Sequence, residues 1–278
     1  KNGEPVEFAF KQTVCTKGNS MQQITSLRNP AVLAAKALQT KRGRDESGLF
    51  LCDGEHMVAE SVQNAPESIQ AVYVDEKQAE KYVAILDAVS TEKQFSVPEQ
   101  VLAAISQVKT PQGIAAVVRK PQRAALENLG KRIILLENVQ DPGNVGTVLR
   151  TADAAGFAGC VLTPGCADPF SPKALRATMG SVFRVPVAEA QSAPEAAETL
   201  IQNGYAVLAA VLDGEDFYAR KPLPDKVCLI VGNEGAGITP ETAQAASHRF
   251  RLPMRGGAES LNAAVAAAVM MYEIVQRG

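Results

Sequence analysis

Hydrophobic positions along the chain follow two alternating patterns. Short runs of consecutive apolar residues, typical of buried strands, are separated by longer segments in which apolar residues recur with helical spacing. The short runs predict strands at 49–52, 71–74, 95–97, 113–118, 133–136, 159–162, 205–211 and 227–231. The longer segments predict helices at 54–63, 76–88, 99–106, 146–155, 172–179 and 193–202. Strands that alternate with helices in this way predict an α/β fold.

The segment 252–272, near the end of the chain, joins an apolar strand end to a helix through a glycine turn. The glycines at 256–257 permit a sharp loop, and Glu259 and Ser260 are suited to cap the helix that follows. Apolar residues then recur with helical spacing at Leu261, Val265, Ala268, Val269 and Tyr272. Ser260 and Asn262 are therefore expected at the mouth of an apolar helix.

Changes in composition divide the chain into two parts. Residues 21–118 form a first α/β unit, and the polar stretch 119–131, with one proline and one glycine, predicts a linker containing a short helix. Residues 132–278 form a second α/β domain. Residues 1–20 lack periodicity and are interpreted as a leader or an appended extension.

A cluster of basic residues ends the amphipathic helix predicted over 25–44. It comprises Lys41, Arg42 and Arg44. Such a cluster is typical of a solvated helix end, and it is also suited to pair with the phosphates of a nucleic acid. The pattern alone leaves both interpretations open.

Composition excludes several classes of protein. The 278 residues are 46% hydrophobic with a formal net charge of −2, and no apolar run approaches the length of a membrane-spanning helix, so a cytoplasmic protein is expected. Five cysteines are scattered without a CxxC pair, and the two histidines stand alone. The sequence therefore supports neither a disulfide framework nor a metal site.

Three loops that follow predicted strands carry polar residues. The first is an Asp-Pro-Gly-Asn turn in which Asn144 is suited to cap a helix that later bears Arg150. The second is glycine-rich and carries Glu234, without the glycine spacing of a dinucleotide-binding fold. The third holds Ser260 and Asn262. Loops at the carboxyl ends of parallel strands share one crevice, so these residues are expected to converge.

The three loops resemble a known set of signature motifs. NxxDPxNxGxxxRTA, VGNEGxGI and LPMxGGxxSLNxxxA occur in this order, and together they resemble the motifs of the SpoU (TrmH) family of RNA ribose methyltransferases within the SPOUT superfamily. The resemblance implies a C-terminal trefoil-knotted domain, a homodimer, and methyl transfer from S-adenosylmethionine to a ribose 2′-hydroxyl. Residues 21–118 resemble the smaller substrate-binding domain of that family. One departure is Ala263-Ala264, where the family often has valine and serine.

The resemblance also assigns site residues. It implies catalytic positions at Asn144, Arg150, Glu234, Ser260 and Asn262. It implies cofactor contacts at Leu208 or its neighbours, Ile230, Gly232, Leu252, Met254 and Leu261. A segment at 171–181 resembles a further family stretch, in which Lys173 and Arg176 are suited either to RNA contact or to a solvated helix face.

The expected reaction makes demands that these residues can meet. A hydroxyl oxygen, the methyl group and the sulfur must be aligned, and the oxygen must lose a proton. A guanidinium holds its proton too tightly to act as the base. We therefore expect Arg150 to bind a phosphate of the target and to stabilise charge on the ribose oxygen, with a phosphate oxygen or water as proton acceptor. Glu234 would then orient Arg150 or the substrate.

Ribosomal RNA of the large subunit is the expected target, because an additional substrate domain is present. Transfer RNA is an alternative target, and an antibiotic-resistance methylase of ribosomal RNA is a narrower version of the first. A non-catalytic RNA-binding relative is disfavoured by the intact Arg150, Glu234 and Asn262. A nicotinamide-dependent oxidoreductase is disfavoured because the dinucleotide fingerprint is missing.

Overall fold

The computed structural model describes residues 21–106 and 111–277, in two compact units. The first unit contains the described residues up to Pro121 together with Phe170–Phe183, and the second contains Gln122–Pro169 and the chain from Arg184 onward. Both units are α/β, as the sequence predicts. The interpretation of residues 1–20 lies outside the described residues. In the described ranges, no helix combines the length and apolar character that crossing a membrane requires.

The first unit is built on a five-stranded mixed sheet. Its strands are β1 (Gln22–Gln23), β2 (Leu49–Asp53), β3 (Ile69–Asp75), β4 (Gln94–Val97) and β5 (Ile114–Arg119). The order is β1-β4-β3-β5-β2, in which β5 runs antiparallel to both of its neighbours. The helices are α1 (Pro30–Ala37), α2 (Lys41–Ser47), α3 (Glu55–Asn64), α4 (Val83–Leu86) and α5 (Glu99–Ile105). Short 3-10 turns lie at Pro66–Ser68, Ala79–Tyr82 and Thr91–Lys93.

Two predicted helices of this unit are wrong in extent. The helix expected over 25–44 is two helices, because Thr40 caps α2 by accepting a hydrogen bond from the backbone N–H of Gly43. Gly43 lies so close to the Ala37 carbonyl that a Cβ atom there would overlap it. The helix expected over 76–88 is reduced to a 3-10 turn and α4, because the Asp75 carboxylate accepts from the N–H of Lys77 and holds a turn.

The segment Phe170–Phe183 completes the core of the first unit. It contains α7 (Pro172–Thr178) and a 3-10 turn, Ser181–Phe183. The ring of Phe170 lies 4.9 Å from that of Phe50 on β2, and the Phe183 ring lies 5.9 Å from the same ring. By sequence the segment falls within 132–278, and in space its apolar side chains pack with buried residues between Phe50 and Val118.

The second unit is built on a parallel six-stranded sheet. Its strands are β6 (Arg132–Leu136), β7 (Gly159–Leu162), β8 (Val187–Glu189), β9 (Ala206–Asp216), β10 (Val227–Val231) and β11 (His248–Arg251). The order is β11-β9-β10-β6-β7-β8, and every pairing is parallel. The helices are α6 (Pro142–Ala154), α8 (Ala193–Gln202), α9 (Pro240–Ala245) and α10 (Ala263–Arg277), with 3-10 turns at Leu126–Asn128 and Phe217–Ala219.

Both faces of this sheet are buried, as expected for a parallel sheet. Along β6, Ile134 and Leu136 pack on the side that holds α6 and α10, whereas Ile133 and Leu135 pack on the side that holds α8. All four side chains are fully buried. The alternation of side chains along each strand therefore produces a three-layered unit, and the strand ends are free to carry loops.

The caps of α6 and α10 differ from those expected. Asp141 caps α6, because its carboxylate accepts from the N–H groups of Gly143 and Asn144, and the helix begins at Pro142. Asn262 caps α10 by accepting from the N–H groups of Ala264 and Val265. Asn144 and the pair Glu259–Ser260 are therefore not the caps.

Replacement of the aromatic side chain that joins Phe170–Phe183 to the first unit tests this packing. We expect Phe170→Ala to lower the free energy of unfolding by about 3–5 kcal/mol, because it leaves a cavity against Phe50. Urea-induced unfolding of the full chain measures the difference. Leu33→Ala, at an exposed position of α1, is the control and should change stability by at most about 0.5 kcal/mol. Equal effects of the two variants would contradict the packing described.

Candidate active site

Three loops at the carboxyl ends of parallel strands of one sheet form the candidate site. They are the turn 137–144 after β6, the glycine-rich loop 232–238 after β10, and the loop 252–262 after β11. The Asn233 side chain ties two of them together, since its Nδ2 donates to the Asn138 carbonyl at 2.9 Å. The convergence expected from the strand order is therefore present.

Polar side chains from all three loops are joined by hydrogen bonds. Asn144 Nδ2 donates to Glu234 Oε1 at 2.8 Å, and Asn262 Nδ2 donates to Asn144 Oδ1 at 3.1 Å. The Glu234 carboxylate also accepts from the backbone N–H groups of Asp141, at 3.0 Å, and Gln140, at 3.1 Å. We call Asn144, Glu234 and Asn262 the polar trio. Sequence reasoning placed these three residues together correctly.

Hydrogen bonding keeps the Glu234 carboxylate ionised. Partial burial acts to raise its pKa, but hydrogen bonds from Asn144 and from the backbone N–H groups of Asp141 and Gln140 outweigh that effect and hold the pKa below its ordinary value. An ionised carboxylate only accepts hydrogen bonds. Glu234 is thus suited to anchor loops, and it is poorly suited to take up a proton near neutral pH.

Arg150 lies on α6 with its side chain exposed. Within the described ranges, 21–106 and 111–277, its guanidinium makes no hydrogen bond or ion pair. The expected contact in which Glu234 orients Arg150 is not present in this chain. The carboxylate instead accepts hydrogen bonds from Asn144 and from the backbone of the turn 137–144. The guanidinium is therefore available to bind a phosphate from solution.

A cavity of about 730 Å³ lies beside the polar trio. Its walls are the middle of β9, the end of β10, part of β11 and the loop after it, the loop 232–238, and faces of α9 and α10. Glu234 and Ser260 both line it. Gly232 is required there, since a Cβ atom on it would overlap the backbone of Gly237 and open the loop.

Four of the six expected cofactor contacts line this cavity. They are Gly232, Leu252, Met254 and Leu261. Leu208 and Ile230 do not line it, because both side chains point into the sheet packing and are fully buried. Their places in the wall are taken by Val231 and by the neighbours of Leu208 at 210–213.

An irregularity in β9 explains why residues 210–213 line the cavity and Leu208 does not. Arg249 on β11 pairs with Ala209, but the next residue, Phe250, pairs with Glu215. Residues 210–214 are thus left outside the pairing of β9 with β11, and 210–213 line the cavity. The apolar run at 205–211 predicts a strand but not this irregularity.

The expected RNA contacts differ in accessibility. Lys41 and Arg42 are exposed and form ion pairs one helical turn away, with Asp45 at 2.8 Å and Glu46 at 2.7 Å. Arg44 is only 4% exposed, and its guanidinium donates to the carbonyl oxygens of Leu38 and Gln39. Arg44 therefore has a structural role, which corrects its assignment to RNA binding.

Lys173 and Arg176 are exposed on α7. This helix belongs to the first unit, together with Lys41 and Arg42. All four accessible basic residues of the expected RNA contacts are therefore carried by one compact unit.

Sequence reasoning missed three residues of the candidate site. Asp141 could have been found, because an aspartate immediately before a proline at a helix start is a common cap. Asn233 organises the glycine loop by accepting from the N–H groups of Gly235 and Ala236. Gln140 contributes its backbone N–H to Glu234, and a backbone contact of this kind leaves no signal in residue types.

Two family models match the chain. The model of the SpoU rRNA Methylase family matches residues 131–272. The model described as the MRM3-like substrate binding domain matches residues 29–116. The two matches fall on the sheets of the second and first units respectively.

Curated relatives match over nearly the full chain. The 23S rRNA (guanosine(2553)-2'-O)-methyltransferase RlmP of Bacillus subtilis is 36% identical, over 91% of this chain and 99% of the relative. The 23S rRNA (uridine(2479)-2'-O)-methyltransferase of Streptomyces viridochromogenes is 28% identical, over 92% of each.

Solved structures are similar over the same extent. The AdoMet-bound rRNA methyltransferase from Sinorhizobium meliloti aligns with a TM-score of 0.79 at 34% identity, covering 92% of this chain and 98% of the other. The SpoU methyltransferase AviRb from Streptomyces viridochromogenes, in complex with AdoMet, aligns with a TM-score of 0.78 at 26% identity, covering 90% and 98%. These alignments include both units. By its family model and its similarity to full-length relatives, the chain belongs to the SpoU rRNA methylase family.

Proposed function

We propose that the protein transfers a methyl group from S-adenosylmethionine to a ribose 2′-hydroxyl of 23S ribosomal RNA. The observation that carries this proposal is the cavity of about 730 Å³ beside the polar trio. Relatives from Bacillus and Streptomyces named as 23S rRNA 2′-O-methyltransferases support the reaction. The AdoMet-bound structures from Sinorhizobium and Streptomyces support the methyl donor.

The residues of the cavity fit this cofactor. The volume is in the range of pockets that hold small molecules, about 300–1,000 Å³. Leu252, Met254 and Leu261 offer apolar surface, and Gly232 lets a ligand approach the backbone of its loop. Bound S-adenosylmethionine would supply an electrophilic methyl group. The chain's own residues must then bind the acceptor and orient it.

Arg150 is proposed as the residue that binds the acceptor strand. Its exposed guanidinium is suited to hold a phosphate next to the target ribose and to stabilise the charge that develops on the 2′-oxygen. The proton would leave to a phosphate oxygen or water. Ser260 and Asn262 are proposed to bind and orient the ribose. Glu234 holds Asn144 and the turn 137–144 in place.

The first unit is proposed to bind the RNA. Its match to a substrate-binding domain model supports this role. Lys41, Arg42, Lys173 and Arg176 supply exposed positive charge on this unit. A ribosomal RNA substrate is also the basis for proposing a cytoplasmic protein, since the enzyme must reach the RNA where ribosomes are assembled.

A homodimer with a knotted second unit is proposed as the functional form. Leu261, Val265 and Tyr272 leave 39%, 48% and 46% of their surface exposed. Their spacing of four and seven residues places Val265 and Tyr272 on one face of α10, with Leu261 just before it, suited to a second copy of the chain. The match to the SpoU rRNA Methylase family model is the basis for proposing the knot.

The proposed role of Arg150 predicts a large loss of activity in two variants. We expect Arg150→Ala and Arg150→Lys each to reduce kcat/KM by about 100-fold or more, because a lysine cannot replace the two-pronged guanidinium contact. Transfer of labelled methyl to unmodified 23S ribosomal RNA, with transfer RNA in a parallel reaction, measures the reduction. Arg132→Ala, at the opposite ends of the strands, is the matched control.

Three results would contradict this role or this substrate. Retained activity in Arg150→Lys would exclude two-pronged binding. Methylation of transfer RNA alone would move the substrate to that class. Binding of RNA without any transfer would favour a binding-only protein.

RNA binding by the first unit predicts a change in salt dependence. Lys173→Ala combined with Arg176→Ala should weaken RNA binding and lower the slope of log affinity against log salt by about 0.7 for each phosphate that the variant no longer binds. Filter binding across a salt series measures the slope. Lys226→Ala, which removes a positive charge from the second unit, is the control. An unchanged slope in the double variant would exclude these residues from the interface.

The proposed homodimer predicts that charge on the apolar face of α10 produces monomers. We expect Val265→Asp to shift the sedimentation coefficient to that of a single chain, because an unpaired carboxylate would be buried at the interface. Leu33→Asp places the same charge on an exposed position of α1 and should leave the sedimentation coefficient at the value of the dimer. A dimer that persists in Val265→Asp would place the interface elsewhere.

A further inference from the structure

A buried carboxylate, Glu137, connects the end of β6 to the segment that closes the glycine-rich loop. Its side chain is only 7% exposed, and its backbone N–H donates to the Val231 carbonyl at the end of β10. Oε1 accepts from the hydroxyls of Thr239, at 2.8 Å, and Thr242, at 2.7 Å. Oε2 accepts from the backbone N–H of Thr239 at 3.0 Å. Every one of these three donors belongs to the segment 239–242.

The three hydrogen bonds make this connection rigid. A buried carboxylate is costly unless donors surround it, and each hydrogen bond to a charged acceptor is stronger than one between neutral groups. Thr242 is fully buried, and its backbone N–H donates to the Thr239 hydroxyl oxygen, which caps α9. Movement of either threonine would remove at least one of these donors from the carboxylate. Glu137 therefore restrains the position of Thr239.

This connection reaches the cavity through neighbouring residues. Ile238 precedes Thr239 and Pro240 follows it, and both line the cavity. Glu137, Thr239 and Thr242 do not line it. The carboxylate thus lies behind the wall and holds the wall in place.

The glycine-rich loop is held at its other end by separate contacts. Asn233 donates to the Asn138 carbonyl, and Glu234 accepts from the backbone of Gln140 and Asp141. The loop is therefore attached to the same turn, 137–144, at both of its ends. At its start, the carboxylate of Glu234 accepts from the turn, and just after its end, Thr239 donates to the carboxylate of Glu137. Removal of one attachment leaves the other intact.

We propose that Glu137 is a positioning residue for the cofactor site, acting through Thr239 and Thr242. It sets the wall at Ile238 and Pro240, and so the fit of S-adenosylmethionine, while the polar trio keeps its own hydrogen bonds. This inference rests on the proposed cofactor. Because the polar trio is independent of Glu137, breaking the connection should weaken cofactor binding and leave turnover at saturating cofactor largely intact.

Substitutions of the buried threonine test the inference without altering the charge. Thr242→Val keeps the shape of the side chain and removes the hydroxyl, whereas Thr242→Ser retains the hydroxyl and removes the methyl group. Thr178→Val removes a buried threonine hydroxyl from the first unit, where it donates to the Leu175 carbonyl, and controls for a general decrease in stability. Calorimetric titration of the full chain with S-adenosylmethionine, below the unfolding temperature of each variant, measures Kd. Glu137→Gln is titrated in the same way.

The expected pattern separates positioning from stability. Thr242→Val and Glu137→Gln should each raise Kd about tenfold, Thr242→Ser should stay within about threefold of the wild type, and Thr178→Val should not change Kd. The kcat of Thr242→Val at saturating cofactor should fall by less than about threefold. An unchanged Kd in Thr242→Val and Glu137→Gln would overturn the inference. A wild-type protein that fails to bind S-adenosylmethionine would overturn the proposed cofactor itself.

Discussion

The candidate site depends on one ionised carboxylate that lies among loops from separate strands. Glu234 lies in the loop after β10 and accepts hydrogen bonds from the Asn144 side chain and from two backbone N–H groups of the turn after β6. Through Asn144 the same network reaches Asn262, the cap of the last helix. These hydrogen bonds hold the pKa of Glu234 below its ordinary value against the opposing effect of burial, so they favour the negative charge that the network requires.

The sheet gives this network its position, and local departures from regular structure give it a cavity. Parallel strands place the loops after β6, β10 and β11 at one edge. The register shift in β9 then moves residues 210–214 out of the ladder, and the close approach of Gly232 to Gly237 narrows the neighbouring loop. The protein thus combines a rigid edge, built by strands packed on both faces, with a wall made of loops that hydrogen bonds hold in shape.

Residue patterns predict most of the strands and helices and the convergence of the polar trio, because these follow from burial and from strand direction. They miss the short strands β1 and β8. They do not predict features that depend on tertiary contacts. Arg44 looks like a surface cation in sequence but satisfies carbonyl groups inside the first unit. Leu208 and Ile230 lie in strands near the cavity but face the core. The segment Phe170–Phe183 packs in the first unit, because its aromatic side chains meet Phe50 there.

A crystal structure of the full chain with bound S-adenosylmethionine would show where the cofactor lies. We expect the cofactor in the cavity between the loop 232–238 and the residues Leu252, Met254 and Leu261. We also expect the hydrogen bonds among Glu234, Asn144 and Asn262 to persist with the cofactor bound. A cofactor bound outside this cavity, or a bound state in which Glu234 no longer contacts Asn144 and the turn 137–144, would show that this site is wrongly assigned.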